Sequence, residues 1–245
     1  MDNAIDSNRQ ADSELPPRFG IPRRKADFFE VMVFLFLIVP SMVLSFFALK
    51  LGTASFDLIA TSTILRDFAL VTLITFFLWR NREPVIRIGW TMSAAPREAI
   101  LGLLLFTPLL ILATSVDRFL RAAGFTGTPK ALSGFLRPSG PWQFVLAFIL
   151  VAVVAVAEET MFRGYLILRF EALTGSPFAA AVLSAGIFSF GHGYEGTAGV
   201  ATVGVLGLGL AAVYLWRRNL IAPIVMHFLQ DFTSIILLPL LVHKH

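Results

Sequence analysis

The sequence predicts an all-α, polytopic membrane protein, a helix bundle with about seven transmembrane helices. Hydrophobic residues make up 56% of the 245 residues and charged residues only 15%, whereas soluble domains carry about 25% charged residues. The apolar residues fall in runs of about 20, which is the length that an α-helix needs to cross the hydrocarbon core. This composition assigns the chain to the membrane class before any motif is considered. A re-entrant segment would raise the helix count to eight.

The apolar runs also divide the chain into regions. Residues 1–27 are polar, contain no secretory-type apolar segment and are interpreted as a disordered cytoplasmic tail. Residues 28–120 hold three spans rich in Phe, Leu and Ile, which are expected to be peripheral. A loop rich in Gly, Pro and Ser, 121–141, leads to four core helices within 142–242. The helices are predicted near 28–49, 56–79, 97–120, 142–170, 178–193, 197–216 and 219–242.

The polar residues between the spans predict the orientation of the chain. Lys and Arg cluster before the first span, between the second and third, and between the sixth and seventh. These clusters fall on one side of the membrane, and the positive-inside rule makes that side, with the N-terminus, cytoplasmic. The chain contains no cysteine, which excludes disulfides, thiolate metal sites and cysteine nucleophiles.

Two adjacent carboxylates, Glu158 and Glu159, stand at the end of a long apolar run in the fourth predicted helix. Placing a charge in hydrocarbon costs roughly 2.5–3.5 kcal/mol even on lenient insertion scales, so such residues usually have a function. Arg163 follows Glu159 by four residues, which puts both on one helical face and predicts a structural ion pair. Glu158 is rotated by about 100° from Glu159. It is therefore predicted to be unpaired and to act as a general base.

Two other apolar segments carry ionisable side chains, His192 in the fifth predicted helix and the pair His227 and Asp231 in the seventh. At 1.5 Å per residue, Glu158, His192 and His227 lie at overlapping depths of ~18, ~21 and ~12 Å. Asp231 follows His227 by four residues and can orient its imidazole. We therefore expect one site built from three helices. Other charged or phenolic residues are given no catalytic role: Arg66, Asp67, Tyr194 and Glu195.

Three short motifs carry these residues in a fixed order. Residues 158–163 read EETMFR, residues 188–192 read FSFGH and residues 227–231 read HFLQD. As EExxxR, FxxxH and HxxxN/D motifs on successive apolar helices, they resemble the CAAX protease and bacteriocin-processing (CPBP, or Abi) family of intramembrane proteases. That family includes the prenyl-protein CAAX endopeptidase. The resemblance covers residues 140–235.

The resemblance implies that an activated water hydrolyses a peptide bond within the membrane. The catalytic set it implies is Glu158, Glu159, His192, His227 and Asp231. In this set Glu158 would be the base, His192 would help to hold the water, and His227 would stabilise the oxyanion together with the residue four positions later. The prenyl-endopeptidase branch carries Asn where this chain has Asp231. An ionised Asp cannot donate to an oxyanion, so Asp231 is either protonated or orients His227.

A metal-dependent and a metal-free mechanism are both open for this set. Glu158, His192 and His227 are candidate ligands of a catalytic Zn²⁺, which normally takes three protein ligands and one water. Recruiting Glu158 as a ligand would remove it as the base, and Glu159 is turned toward Arg163. A mechanism that requires no metal is therefore favoured.

The expected partners are the lipid bilayer and a membrane-associated peptide or protein, either a prenylated CAAX-type substrate or a leader peptide. Nucleic acid is not expected, because the basic residues lie at the ends of apolar runs, where they set topology and meet anionic lipid. A proton-coupled transporter or a non-catalytic membrane scaffold could use the same intramembrane Glu and His residues. The ordered motifs favour the protease, since a transporter has no reason to carry them.

Overall fold

The computed structural model describes residues 23–51, 55–128 and 137–242, and within these ranges the protein is helical and contains no strand. Six helices in this part of the chain are long and apolar enough to cross a membrane. A further apolar helix has 14 residues, a length of about 21 Å that falls short of the roughly 30 Å hydrocarbon core. The prediction of an all-α, polytopic membrane bundle is confirmed.

The helices follow the predicted runs closely. In chain order they are α1 (Arg23–Leu51), α2 (Phe56–Arg80), α3 (Ala95–Ala122), α4 (Pro141–Thr174), α5 (Pro177–Phe190), α6 (Gly196–Arg217) and α7 (Ile221–Leu241). Because α1 begins at Arg23, residues 23–27 of the predicted tail are helical. The rest of that tail, and residues 129–136 of the predicted 121–141 loop, lie outside the described residues.

Short sequence signals set several helix ends. Ser55 and Ser176 cap the N-termini of α2 and α5, and each hydroxyl oxygen accepts a hydrogen bond from the backbone N–H three residues later. Pro177 lies in the first turn of α5, where its missing N–H leaves no hydrogen bond unmade. Gly175 ends α4 with a φ of 72°, a left-handed conformation that favours glycine.

Both α4 and α7 widen into π-helices beside the predicted site residues. Glu159–Leu166 form the π segment of α4, and Phe232–Leu237 form that of α7. The two segments therefore begin directly after Glu158 and Asp231. π turns are rare and occur frequently at functional sites. Since a π turn holds more residues than an α turn, the widening changes the direction in which the following side chains point.

The centre of the bundle is α4. Its side chains Met161, Tyr165 and Leu166 are completely buried. Phe34 of α1 and Ile74 of α2 belong to the same buried cluster. One face of α1 and one face of α2 thus contribute to the core, although the sequence predicts both helices to be peripheral.

The outer faces of the first three helices are apolar and exposed. Phe36 of α1, Trp79 of α2 and Leu104 of α3 are exposed by 76%, 75% and 66%. Soluble proteins rarely expose continuous apolar surfaces of this kind, whereas lipid tails are as apolar as the side chains they contact. The chain is therefore an integral, multi-pass membrane protein.

A buried ion cluster joins α1, α4 and the segment that follows α2. Arg169 of α4 is 2% exposed, and its Nη2 lies 2.6 Å from Glu83 Oε2 and 3.0 Å from Glu30 Oε2. Asp27 Oδ1 lies 3.6 Å from Arg169 Nη1. Tyr165 donates its hydroxyl hydrogen to Glu30 Oε2 at 3.2 Å. We call these five residues the Arg169 cluster, which the sequence analysis did not identify.

Candidate active site

The predicted polar residues line one cavity inside the bundle. This cavity has a volume of about 700 Å³, and Glu158, His192, His227 and Asp231 all border it. Many of the other lining side chains are apolar residues of α1, α2 and α4. The cavity therefore combines a few ionisable groups with an apolar wall, which is typical of small-molecule and peptide sites.

Glu159 connects two of the motifs. Its side chain is completely buried, and Oε1 lies 2.7 Å from Arg163 Nη1 and 2.7 Å from His227 Nδ1. Because an ionised carboxylate can only accept, His227 donates its Nδ1–H to Glu159. This hydrogen bond fixes the orientation of the imidazole and leaves Nε2 as the nitrogen available to the cavity.

Arg163 is held from several sides. It is 1% exposed, its Nη2 donates to the carbonyl oxygen of Gly207 at 3.3 Å, and its guanidinium carbon lies 4.4 Å from the centre of the Phe188 ring. A Cβ at Gly207 would lie 3.4 Å from Arg163 Nη2. The small residue on α6 therefore lets that backbone approach the buried guanidinium closely.

Glu158 borders the cavity next to two charged or ionisable neighbours. Its Oε1 lies 3.8 Å from Arg66 Nη2, and its Oε2 lies 3.9 Å from His227 Nε2. Glu158 Oε2 is buried without a hydrogen-bond partner among the described residues. The expectation that Glu158 is unpaired therefore needs correction, because Arg66 of α2 supplies a cation nearby. No described side chain, however, occupies its oxygens with a hydrogen bond.

His192 lies just beyond the C-terminal end of α5. Its Nδ1 is 3.0 Å from the carbonyl oxygen of Phe188, and since a carbonyl only accepts, Nδ1 carries the hydrogen. The Phe188 ring centre lies 4.8 Å from that of His192 and 5.9 Å from that of His227. Phe188 therefore packs against both imidazoles and helps to fix their separation.

Asp231 lies beside the ring of His227, as its position four residues later predicts. Asp231 Oδ2 is 3.5 Å from His227 Nε2, which is longer than an ordinary hydrogen bond. The short hydrogen bond that orients His227 comes from Glu159 instead. Asp231 also borders the cavity, on the side of His227 Nε2.

Two residues of α2 belong to the site although the sequence analysis gave them no role. Asp67 is completely buried, and its Oδ1 lies 2.8 Å from both Nε and Nη2 of Arg66. Arg66 in turn borders the cavity beside Glu158. The signal that could have found them is the one that identified Glu158, namely charged residues within an apolar span.

The predicted zinc ligands do not form a metal site in this arrangement. Within the described ranges, no group of three or more His, Asp or Glu side chains could hold a metal ion. Glu158, His192 and His227 border the same cavity without forming the three-ligand set that catalytic zinc normally requires.

Comparison with known families points to the same part of the chain. A family model described as "Type II CAAX prenyl endopeptidase Rce1-like" matches residues 140–233. This segment runs from the loop before α4 into the π segment of α7 and includes all three motifs. Comparisons with curated proteins and with solved structures found no match.

Proposed function

We propose that this chain is an endopeptidase in which Glu158 activates the attacking water, because residues 140–233 match the family model of Rce1-like CAAX prenyl endopeptidases. Its substrate is a peptide or protein at the membrane, of the prenylated CAAX type or a leader peptide. The observation that carries the proposal is the position of Glu158, which borders the cavity with no hydrogen bond from a described residue to occupy its oxygens.

In the proposed reaction, a water held between Glu158 and the imidazoles attacks the scissile carbonyl carbon. Glu158 accepts the proton of that water as its oxygen bonds to carbon. Because no described residue donates to Glu158, no such hydrogen bond must break before the carboxylate accepts the proton. A general base of this kind contributes about 10²–10⁴-fold to the rate.

The two imidazoles have separate roles in this proposal. His227 donates Nδ1–H to Glu159 and so directs Nε2 toward the cavity, where Nε2 in its protonated form donates to the oxyanion. His192 is fixed through Nδ1 by the carbonyl of Phe188, and its other nitrogen helps to hold the water. Glu159 is a positioning residue, since it acts on the reaction through His227 and Arg163.

The cavity suits an extended peptide that carries an apolar group, such as a prenyl chain or an apolar side chain. Ile38 and Met42 of α1, Phe56 and Ile59 of α2 and Val154 of α4 supply apolar lining beside the carboxylates. An apolar substrate segment can pack along this wall while its backbone reaches the polar end. In this proposal α1 and α2 help to form the substrate site, and residues 142–242 carry the catalytic groups. The N-terminus is proposed to be cytoplasmic.

The test is cleavage of an internally quenched, farnesylated peptide with a CAAX ending by purified protein in detergent. Glu158→Gln keeps the shape of the side chain but cannot accept the proton, so we expect a rate loss of about 10²–10⁴-fold. Glu171→Gln is the matched control, because Glu171 lies on the same helix, pairs with Arg218 at the surface and does not border the cavity.

Near-normal cleavage by Glu158→Gln would refute the assignment of the base. A parent protein that leaves this peptide and a leader-peptide probe intact, but moves protons across vesicle membranes, would favour a proton-coupled transporter. A protein with neither activity would favour a non-catalytic scaffold.

A further inference from the structure

We propose that Arg66 of α2 is a further catalytic residue, whose guanidinium donates hydrogen bonds to the oxyanion. It would supply the N–H donor that the carboxylate of Asp231 does not have. This inference rests on the proposed peptide hydrolysis. Arg66 lies outside residues 140–233, the segment that matches the Rce1-like family, and outside the three motifs.

Arg66 lies beside Glu158 at the wall of the cavity. Arg66 Nη2 lies 3.8 Å from Glu158 Oε1, and both side chains border the cavity. A water activated by Glu158 lies within about 3 Å of that carboxylate, and the carbonyl that it attacks lies about 3–3.5 Å further on. A guanidinium beside the same carboxylate oxygen is therefore within reach of the reacting atoms.

Arg66 is held in place by Asp67 and still has N–H groups available for a ligand. Asp67 Oδ1 lies 2.8 Å from both Nε and Nη2 of Arg66. A guanidinium has five N–H groups in a rigid fork, so others remain for a ligand in the cavity. Asp67 is completely buried and its Oδ2 has no hydrogen-bond partner among the described residues. Keeping such a carboxylate is costly, and orienting Arg66 accounts for it.

Negative charge surrounds the ring of His227. The carboxylates of Glu158, Glu159 and Asp231 all lie within 3.9 Å of its ring nitrogens. An oxyanion formed there adds another negative charge. An ionised Asp231 offers no hydrogen for it, because a carboxylate only accepts.

One protonated imidazole cannot offset all of these negative charges, so a further cation facing the cavity is needed, and Arg163 does not supply it. Arg163 is fully buried against Glu159 and the carbonyl of Gly207. Arg137 borders the cavity as well, but among the described residues Arg66 is the arginine that lies within 4 Å of Glu158. Arg66 thus combines the charge, the free donors and the position that the oxyanion requires.

The water oxygen bonds to the carbonyl carbon, its proton passes to Glu158, and the π electron pair moves to the carbonyl oxygen. The N–H groups of Arg66 stabilise that negative oxygen. The pair then re-forms the C=O bond, the C–N bond breaks, and the proton on Glu158 passes to the leaving nitrogen. The products are a carboxylic acid and an amine.

The experiment measures kcat and KM for the farnesylated CAAX peptide. Losing one oxyanion donor costs about 10²–10³-fold in kcat, so Arg66→Gln should fall by this factor with KM changed by less than about threefold. Arg118→Gln is the matched control. Arg118 is an exposed arginine beside Asp117 on α3 and does not border the cavity, so its variant should cleave like the parent.

Rescue separates catalysis from a structural effect. Asp231→Asn supplies an N–H donor beside His227, so Arg66→Gln combined with Asp231→Asn should recover kcat at least about tenfold over Arg66→Gln alone. A kcat for Arg66→Gln within threefold of the parent overturns the inference, and so does a loss that Asp231→Asn leaves unchanged. If Arg66→Gln does not fold, Arg66→Met, which keeps a long side chain but has neither charge nor N–H donor, decides by the same criterion.

The role of Arg66 and the proposed peptide hydrolysis are tested by different variants. Cleavage by the parent together with loss in Glu158→Gln supports the endopeptidase, and the Arg66 variants then decide the inference separately. A parent protein that cleaves no peptide overturns both.

Discussion

Two arginines of α4, Arg163 and Arg169, are both almost completely buried among carboxylates, yet their surroundings differ. In the Arg169 cluster, every oxygen of Glu30 and Glu83 has a hydrogen-bond donor. The donors are Arg169 and Tyr165 of the cluster and their neighbours Arg23, Asn81 and Arg87. Around Arg163, one oxygen each of Glu158 and Glu159 is buried without a hydrogen-bond partner among the described residues.

The difference separates a structural cluster from a functional one. A buried charge costs free energy unless its partners replace the hydrogen bonds of water. The Arg169 cluster meets this condition and borders no part of the cavity. The carboxylates beside Arg163 do not meet it, and Glu158 faces the cavity. Incomplete pairing next to a cavity is what a site requires if its groups are to bind water or substrate.

The largest effect on stability is expected from Arg169→Ala. Removing one partner of a buried ion pair costs about 3–5 kcal/mol, because the remaining charges lose their compensation. Thermal unfolding of the purified protein in detergent should show a clear fall in melting temperature. Arg218→Ala is the control, since Arg218 forms an exposed pair with Glu171 at 3.2 Å and such pairs contribute about 0–1 kcal/mol.

An Arg169→Ala protein that melts like the Arg218→Ala control would break the comparison, because the Arg169 cluster would then contribute nothing to the fold. If Arg169→Ala folds normally but cleaves no peptide, Arg169 acts in the reaction and the two clusters do not have separate roles.

The sequence predicts the helices of this molecule and the contacts within one helix. Helix bounds follow from apolar run length, and spacing within a helix brings Glu159 to Arg163. The contacts that decide the chemistry join distant parts of the chain, as between Arg66 and Glu158 or Glu159 and His227. No periodicity within one helix encodes them, because they depend on how α2, α4 and α7 pack. The π segment after Glu158 adds a local change of direction that a regular helical wheel omits.

A smaller effect is expected from Tyr165→Phe within the Arg169 cluster. Tyr165 donates to Glu30 at 3.2 Å, and its ring packs against Phe34 and Phe77. Phenylalanine keeps the ring and loses a hydrogen bond to a charged group, worth about 1.5–3 kcal/mol. The melting temperature should fall by less than in Arg169→Ala.

Tyr214→Phe is the control for this change. Tyr214 is also buried, but its hydroxyl makes no hydrogen bond to another described residue. Equal losses in the two variants would show that Tyr165 contributes no specific hydrogen bond to the cluster.

The smallest effect is expected from chelation. A metal ion between the carboxylates would neutralise their charge and supply the partner that Glu158 Oε2 lacks. Because no described group of three His, Asp or Glu side chains could hold one, cleavage by the purified protein should be unchanged by a chelator. One equivalent of zinc per chain, with activity lost on chelation and restored by zinc, would contradict this and would remove the contrast between the clusters.

The melting temperature of Glu158→Gln tests most directly whether the incompletely paired carboxylate of Glu158 serves function at the expense of stability. Replacing a buried carboxylate that has no hydrogen bond with a neutral amide removes a desolvation cost, while Arg66 keeps Asp67 as its partner. We predict that Glu158→Gln melts at or above the temperature of the parent, although it has lost cleavage activity. A fall in melting temperature like that of Arg169→Ala would contradict the account, because Glu158 would then stabilise the fold.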